Sequence, residues 1–165
     1  MIRAWSQRWG QAVAGWWIDG CYFADQMYRF EDEPNFVSFA AALRAGNPAA
    51  IVAFNPGVKV PVVAHTPYED YAAGEVNLDL LPRAVEACQG RWLACAGAKV
   101  QFHILSFLGT TWCGGQQPQW PDDKVIGLTR QIVDKGGAVT YDVPIQKTGL
   151  SRSRSSSNCA RSELR

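Results

Sequence analysis

Carboxylates set among tryptophans and tyrosines are the residues of this chain best suited to chemistry. Asp19 follows the uncharged run Gly15-Trp16-Trp17-Ile18 and precedes Gly20. Asn55 follows the run Ala50 to Phe54, Asp142 lies near the end of Ala138 to Val143, and Trp112 follows Val100 to Leu108. A glycosidase needs a pair of Asp or Glu residues, one to attack or to activate water and one to protonate the leaving oxygen, and aromatic rings bind the apolar faces of sugars. The pattern therefore points to sugar hydrolysis. Asp-Gly is also a common turn, so that dipeptide alone leaves a purely structural role open.

For such groups to act together, the elements before them must be strands whose carboxyl ends meet, as in parallel sheets and barrels. The chain has that organisation. Ile2, Trp5, Trp9 and Val13 fall three and four residues apart, one face of a helix, with Arg3, Gln7 and Arg8 turned outward. Ala12 to Ile18 reads as a buried strand. An acidic, aromatic loop runs to Glu33; Pro34 suits a first helical turn, and Phe36, Phe39, Ala40 and Leu43 form an apolar stripe ended by Gly46 and Pro48. Ala50 to Phe54 is the next strand, closed by Asn55-Pro56-Gly57. Strand, helix, strand is the mark of a parallel sheet.

The later half follows the scheme less cleanly. Val58 to Ala64, interrupted by Lys59 and Pro61, is either an edge segment or an extended loop, and Glu69 to Gly90 reads as mixed surface. Val100 to Leu108 is expected to be one buried strand. Asp122 is placed to cap a helix whose apolar positions are Val125, Ile126, Thr129, Ile132 and Val133, stopped at Lys135-Gly136-Gly137. Ala138 to Val143 is the last strand. From Ser151 the composition turns to Ser and Arg, too polar to offset the entropy of ordering, so residues 151–165 are expected to be a disordered tail.

A chain of 165 residues suits one domain with a sizeable core, yet it is short of the roughly 250 that a closed barrel of eight strand–helix units takes. With 47% hydrophobic and 19% charged residues it is globular, and a net charge of +1 gives no general attraction to nucleic acid or to anionic membranes. Seven tryptophans stand out, either as irregular packing or as platforms for ring-shaped ligands. Cys21, Cys88, Cys95, Cys113 and Cys159 are odd in number and irregular in spacing, as expected of reduced thiols. No Cys-x-x-Cys occurs, and His65 and His103 lack metal-ligand spacing, so neither metal nor cofactor is expected. There is no signal-peptide pattern and no apolar run near the roughly 20 residues of a membrane span, which makes the cytoplasm the default expectation.

Several motifs, taken in order, resemble a known family. Trp16-Trp17-Ile18-Asp19-Gly20, Asp70-Tyr71 with Gly74-Glu75, the stretch His103 to Gly114, and Lys135-Gly136-Gly137 leading to Asp142-Val143-Pro144 and Gly149 are similar to the second half of bacterial α-L-fucosidases of glycoside hydrolase family 29. The similarity runs over residues 1–150. It implies an α/β fold, a partial (β/α)8 TIM-type barrel comprising about its second half, and retaining hydrolysis of a terminal α-L-fucoside with no metal. By resemblance Asp19 occupies the nucleophile position, Glu75 is the candidate proton donor, and Trp112 matches a Trp-Gly element that packs near the sugar, with Cys113 where Gly is usual. His65 is placed near the same site, while His103, on an apolar strand, reads more naturally as a core histidine. Trp17, Tyr22, Asn55 and Asp142 complete the expected sugar-binding set.

The chain also departs from that pattern. The family's glutamate after a Trp is absent, since Leu93 follows Trp92, and the strands expected before the nucleophile have no counterpart before Met1. The expectation is a truncated barrel whose open strand edges are exposed. Two alternatives to an active hydrolase therefore stand: an inactive homologue that at most binds carbohydrate through Trp17, Tyr22 and Trp112, or an interaction protein that pairs with a partner or a second copy through its open sheet. A nucleic-acid partner is not expected from the short Ser/Arg tail.

Overall fold

The computed structural model describes residues 1–23, 28–113 and 118–144; the Ser/Arg-rich tail and Cys159 lie outside these. The chain begins with helix α1 (Ile2–Trp9), a 3-10 turn (Gly10–Ala12) and strand β1 (Gly15–Ile18). Helix α2 (Phe36–Leu43) and strand β2 (Ile51–Phe54) follow. β1 and β2 pair in parallel, with Gly15 opposite Ile51 and Ile18 opposite Phe54. Helix α2 starts two residues after Pro34 because Asn35 takes the cap: its side chain accepts from the Ser38 backbone N–H, and the Ser38 hydroxyl accepts from the Asn35 N–H.

The expected apolar stripe of α1 is buried only in part: Ile2 packs on the core formed by α2 and β2, but the indoles of Trp5 and Trp9 do not. Trp5 and Trp9 are each 45% exposed, and the buried residue is Ser6, whose hydroxyl donates to the Leu43 carbonyl at 2.6 Å and accepts from the Gly46 N–H at 2.9 Å. Trp5, Trp9 and Trp16 instead stack on one another at the surface, with centroids 6.1 and 5.8 Å apart. The indoles cover each other, and a small polar residue makes the close approach to α2.

The second half contains helix α3 (Leu81–Ala87), strands β3 (Trp92–Cys95), β4 (Ala98–Gln101) and β5 (His103–Phe107), helix α4 (Asp122–Asp134) and strand β6 (Ala138–Asp142). β5 and β6 are parallel, His103 opposite Ala138 and Phe107 opposite Asp142. The single strand expected over Val100 to Leu108 is interrupted at Phe102: its first part is β4, antiparallel to β3 around a turn at Ala96 and Gly97 with φ of 45° and 84°. Val58 to Ala64 forms neither helix nor strand. In α4 the buried residues are Val125, Leu128 and Ile132, while Val133 is exposed and Pro121 rather than Asp122 takes the cap position.

The largest correction concerns Glu69 to Gly90, expected at the surface. Ala72, Ala73, Val76, Leu78, Leu81, Ala84 and Val85 are all buried there, and several share one core with Phe102, Ile104, Phe107, Leu128 and Ile132. The extended segment from Asp70 to Val76 lies between β2 and β5. On the side away from β2 it makes backbone bonds with the end of β4, from Gln101 N to Asp70 O and Ala72 N to Gln101 O, and with β5, from Leu105 N to Gly74 O and Val76 N to Leu105 O, at 2.9–3.0 Å, in parallel bridges. On the β2 side, carboxylates stand in for carbonyls: Val52 N–H donates to Asp70 Oδ2 at 2.7 Å, and Phe54 N–H to Glu69 Oε2 at 3.2 Å. The result is an open arc in the order β1, β2, segment 70–76, β5, β6. Gly74 sits at its centre with φ +64°, where a Cβ would overlap the His103 carbonyl.

Helices cover one face of this arc. Phe36, Ala40 and Leu43 of α2 pack on Val52 and Phe54, and α3 and α4 cover Val76 and Ile104. This is a mixed α/β arrangement, and among the described residues β1 pairs only with β2 and β6 only with β5, so no barrel closes. No described helix is long and apolar enough to cross a membrane.

Candidate active site

Parallel pairing brings the residues that follow each strand to one level. Because Ile18 lies opposite Phe54, the next residues, Asp19 and Asn55, are neighbours, and the Asn55 Nδ2 donates to Asp19 Oδ1 at 3.0 Å. Tyr22 Oη at 2.9 Å and the Gly20 N–H at 2.8 Å donate to that same oxygen. Among the described residues no donor reaches Oδ2. Partial burial works against the charge of Asp19, but the bonds from Asn55, Tyr22 and Gly20 outweigh it and hold the carboxyl below its ordinary value. Donating to this anion in turn raises the Tyr22 hydroxyl.

The second hydrogen of the Asn55 amide goes to Glu75 Oε2 at 2.5 Å. Asp19 Oδ1 and Glu75 Oε2 thus share one nitrogen, and the two bonds keep these oxygens no more than about 5.5 Å apart, compatible with the roughly 5–5.5 Å between the paired carboxyl groups of retaining glycosidases. Glu75 is half-buried and bridged to Leu105 of β5. Trp17 is beside this group, with its indole N–H 3.5 Å from the Ala73 carbonyl. His65 lies on the other flank: its Nε2 is 3.0 Å from the Cys21 carbonyl and its ring meets Phe36 edge-on.

Trp112 and Asp142 form a separate group, also at the carboxyl ends of strands. The Trp112 indole donates to Asn77 Oδ1 at 3.2 Å and packs edge-on against Phe107, and Asp142 Oδ2 accepts the Cys113 N–H. No hydrogen bond or ring contact among the described residues joins either one to Asp19. His103 is buried, bonded through Nδ1 to the Ala72 carbonyl and through Nε2 to the Thr140 hydroxyl. Among the described residues no three His, Cys, Asp or Glu side chains are grouped to hold a metal ion.

Two residues that sequence reasoning missed matter here. Glu69 is 4% exposed, and its carboxylate accepts from the backbone N–H of Phe54, His65 and Thr66. Burial pushes it up to about 7 against the pull of those bonds. Asn77, two residues beyond Glu75, ties the Trp112 group to the segment that carries Glu75. Neither is signalled by local pattern, because the Phe54 N–H that Glu69 accepts and the Trp112 indole that Asn77 accepts lie 15 and 35 residues away.

Solved structures share this architecture. The chain superimposes on the endo-fucoidan hydrolase P5AFcnA of glycoside hydrolase family 107 with a TM-score of 0.75 and 16% identity, over 99% of this chain and 53% of that one. It matches the family 107 endo-fucoidan hydrolase MfFcnA4 with a TM-score of 0.74 and 23% identity, over 90% of this chain and 26% of that one. It also matches an α-L-fucosidase from Lactobacillus casei, solved with its α-L-fucose product, with a TM-score of 0.61 and 12% identity, over 99% of this chain and 42% of that one. No protein-family model and no curated protein sequence matches the chain. The likeness is one of fold: the chain shares the architecture of a portion of each of these structures. The chain spans from about a quarter to about half the length of these structures.

Proposed function

We propose that this chain carries the catalytic carboxylates of a retaining glycoside hydrolase of α-L-fucosidase type, with Asp19 as nucleophile and Glu75 as acid and base. One observation carries the reading: Asp19 after β1 and Glu75 on the segment beyond β2 share the Asn55 amide nitrogen of the strand end between them, which keeps the two carboxylates as close as double displacement requires. Asp19, kept ionised by three donors on Oδ1, attacks the anomeric carbon through Oδ2 and forms a glycosyl ester. Glu75 gives its proton to the leaving oxygen, then takes one from the water that cleaves the ester. Trp17 and Tyr22 flank the pair as sugar platforms, with His65, Trp112 and Asp142 further out around the same end of the arc. In this reading residues 1–150 form about the second half of a (β/α)8 barrel, five of its eight strand positions, which three more strands would close.

A second reading is cleavage within a fucan polymer rather than of a terminal fucoside. It is favoured by the TM-scores, 0.75 and 0.74 for the endo-acting enzymes against 0.61 for the fucosidase. Incubation with 4-nitrophenyl α-L-fucoside and, separately, with fucoidan distinguishes them: 4-nitrophenol release supports the fucosidase reading, oligosaccharide release from polymer alone supports the endo-acting one. Asp19→Asn is expected to reduce either activity by at least on the order of 10³-fold. Absence of both activities above a blank at high protein concentration rejects hydrolysis by this chain, and unchanged activity in Asp19→Asn rejects the nucleophile.

A further inference from the structure

Asn55 is fully buried, and every hydrogen-bonding group it owns is in use. Its backbone N–H donates to the Ile18 carbonyl at 2.8 Å and its carbonyl accepts from Cys21 N at 3.0 Å, so the backbone joins the end of β1 to the loop beyond Asp19. Its side-chain Oδ1 accepts from the Gly57 N–H at 3.0 Å, and Nδ2 donates one hydrogen to each carboxylate. This arrangement fixes the amide in one orientation. Turned over, Oδ1 would face two carboxylate oxygens while the NH2 group met the Gly57 donor, losing all three bonds. Gly57 holds its N–H there at a φ of +81°, and the Tyr22 ring packs against it while the Tyr22 hydroxyl donates to Asp19.

We infer that Asn55 is a positioning residue that clamps the Asp19 and Glu75 carboxylates at reacting distance, with its amide aimed by the Gly57 N–H and with no donor left over for a sugar hydroxyl. The two hydrogens of a planar amide diverge by about 120°, which at these bond lengths sets the oxygens about 5 Å apart. A neutral side chain does this without adding charge to a buried site. A carboxylate at position 55 would place three acceptors together and supply no donor between them. The inference rests on the proposed roles of Asp19 and Glu75 for its catalytic meaning, but the clamp itself is a statement about two carboxylates and an amide.

The test combines a measurement that needs no turnover with one that does. Titration of the carboxyl carbons by 13C NMR is expected to show the Asp19 midpoint rising in Asn55→Ala and rising further in the isosteric Asn55→Asp, because an anion-stabilising donor is lost and then replaced by an acid. The backbone bonds of residue 55 are unaffected by either change, and Asn55→Asp also preserves shape should the alanine variant fold poorly. If the protein hydrolyses a fucoside or fucan, both variants are expected to lose on the order of a hundredfold in kcat with KM nearly unchanged. An Asp19 midpoint that does not move in either variant overturns the clamp, and so does a loss confined to KM, which would make Asn55 a substrate contact. A shifted midpoint in a protein without activity supports the clamp while rejecting the hydrolase, so the two failures are told apart.

Discussion

Raising the pH from about 4.5 to about 7 should weaken the fold at the joint between β2 and the segment after it, because buried Glu69 keeps there a proton that the unfolded chain gives up. The residue is 4% exposed, and its carboxyl group holds backbone N–H groups of Phe54, His65 and Thr66. Burial raises its pKa from 4.5 to about 7; the three backbone bonds oppose the rise, and the charge of neighbouring Asp70 adds to it. In the folded chain the proton is therefore held more tightly than in the unfolded one. Below pH 4.5 both states are protonated and the full contribution is present; from there to about pH 7 only the folded state keeps the proton, and stability falls by about 1.4 kcal/mol per pH unit, roughly 3 kcal/mol in total. That is a large share of the roughly 5–15 kcal/mol that holds an ordinary domain together. Urea unfolding followed by Trp fluorescence across this range measures it. Glu69→Gln should flatten the slope, at a fixed cost of about 1–3 kcal/mol because its NH2 group must face a backbone donor. A wild-type stability that is level from pH 4.5 to 7, or a Gln variant with the wild-type slope, refutes the reasoning.

Gly74→Ala should be the more damaging change at the same joint: the left-handed backbone costs about 1–2 kcal/mol for an L residue and the overlap with the His103 carbonyl about 1–3 more, so an unfolding free energy within 1 kcal/mol of wild type would contradict the seam described here. Ser106→Ala should be neutral or stabilising by up to about 1 kcal/mol, since the Ser106 hydroxyl is buried without a partner among the described residues; a clear loss of stability in urea titration would show that this hydroxyl is bonded.

The elements that could be read from the sequence are those whose partners are local. β2 shows as an uncharged run, α2 as an apolar stripe after Pro34, and α4 and β6 as a helix leading through Gly136-Gly137 to a strand. Where reading failed, distant groups decide the conformation. Segment 70–76 lacks a strand's alternation because its left-handed Gly74 interrupts it and because carboxylates, not carbonyls, meet β2. Two acids side by side at Glu69 and Asp70 ordinarily mark a solvated turn. Here each completes a backbone bond 15 to 18 residues away, which no local window contains. The hairpin of β3 and β4 was hidden in a similar way, since Ala96 takes a positive φ that ordinarily falls to Gly or Asn.

The candidate site divides along the same line. Asp19 and Asn55 each follow a readable strand, and once two parallel strands are aligned at their carboxyl ends, the residues that follow them must lie side by side. That half of the site needs only β1, β2 and the rule of parallel pairing. Glu75 belongs to the unreadable segment, so residue type and resemblance singled it out but could not place it. Its position depends on Gly74, whose left-handed turn lets the chain press against His103 and Ile104 immediately before Glu75 meets the Asn55 amide. The geometry of the carboxylate pair thus rests on a glycine adjacent to the proposed acid rather than on the acid's own surroundings. A substitution at Gly74 too mild to unfold the chain should accordingly disturb the Asn55–Glu75 bond before it disturbs Asn55–Asp19.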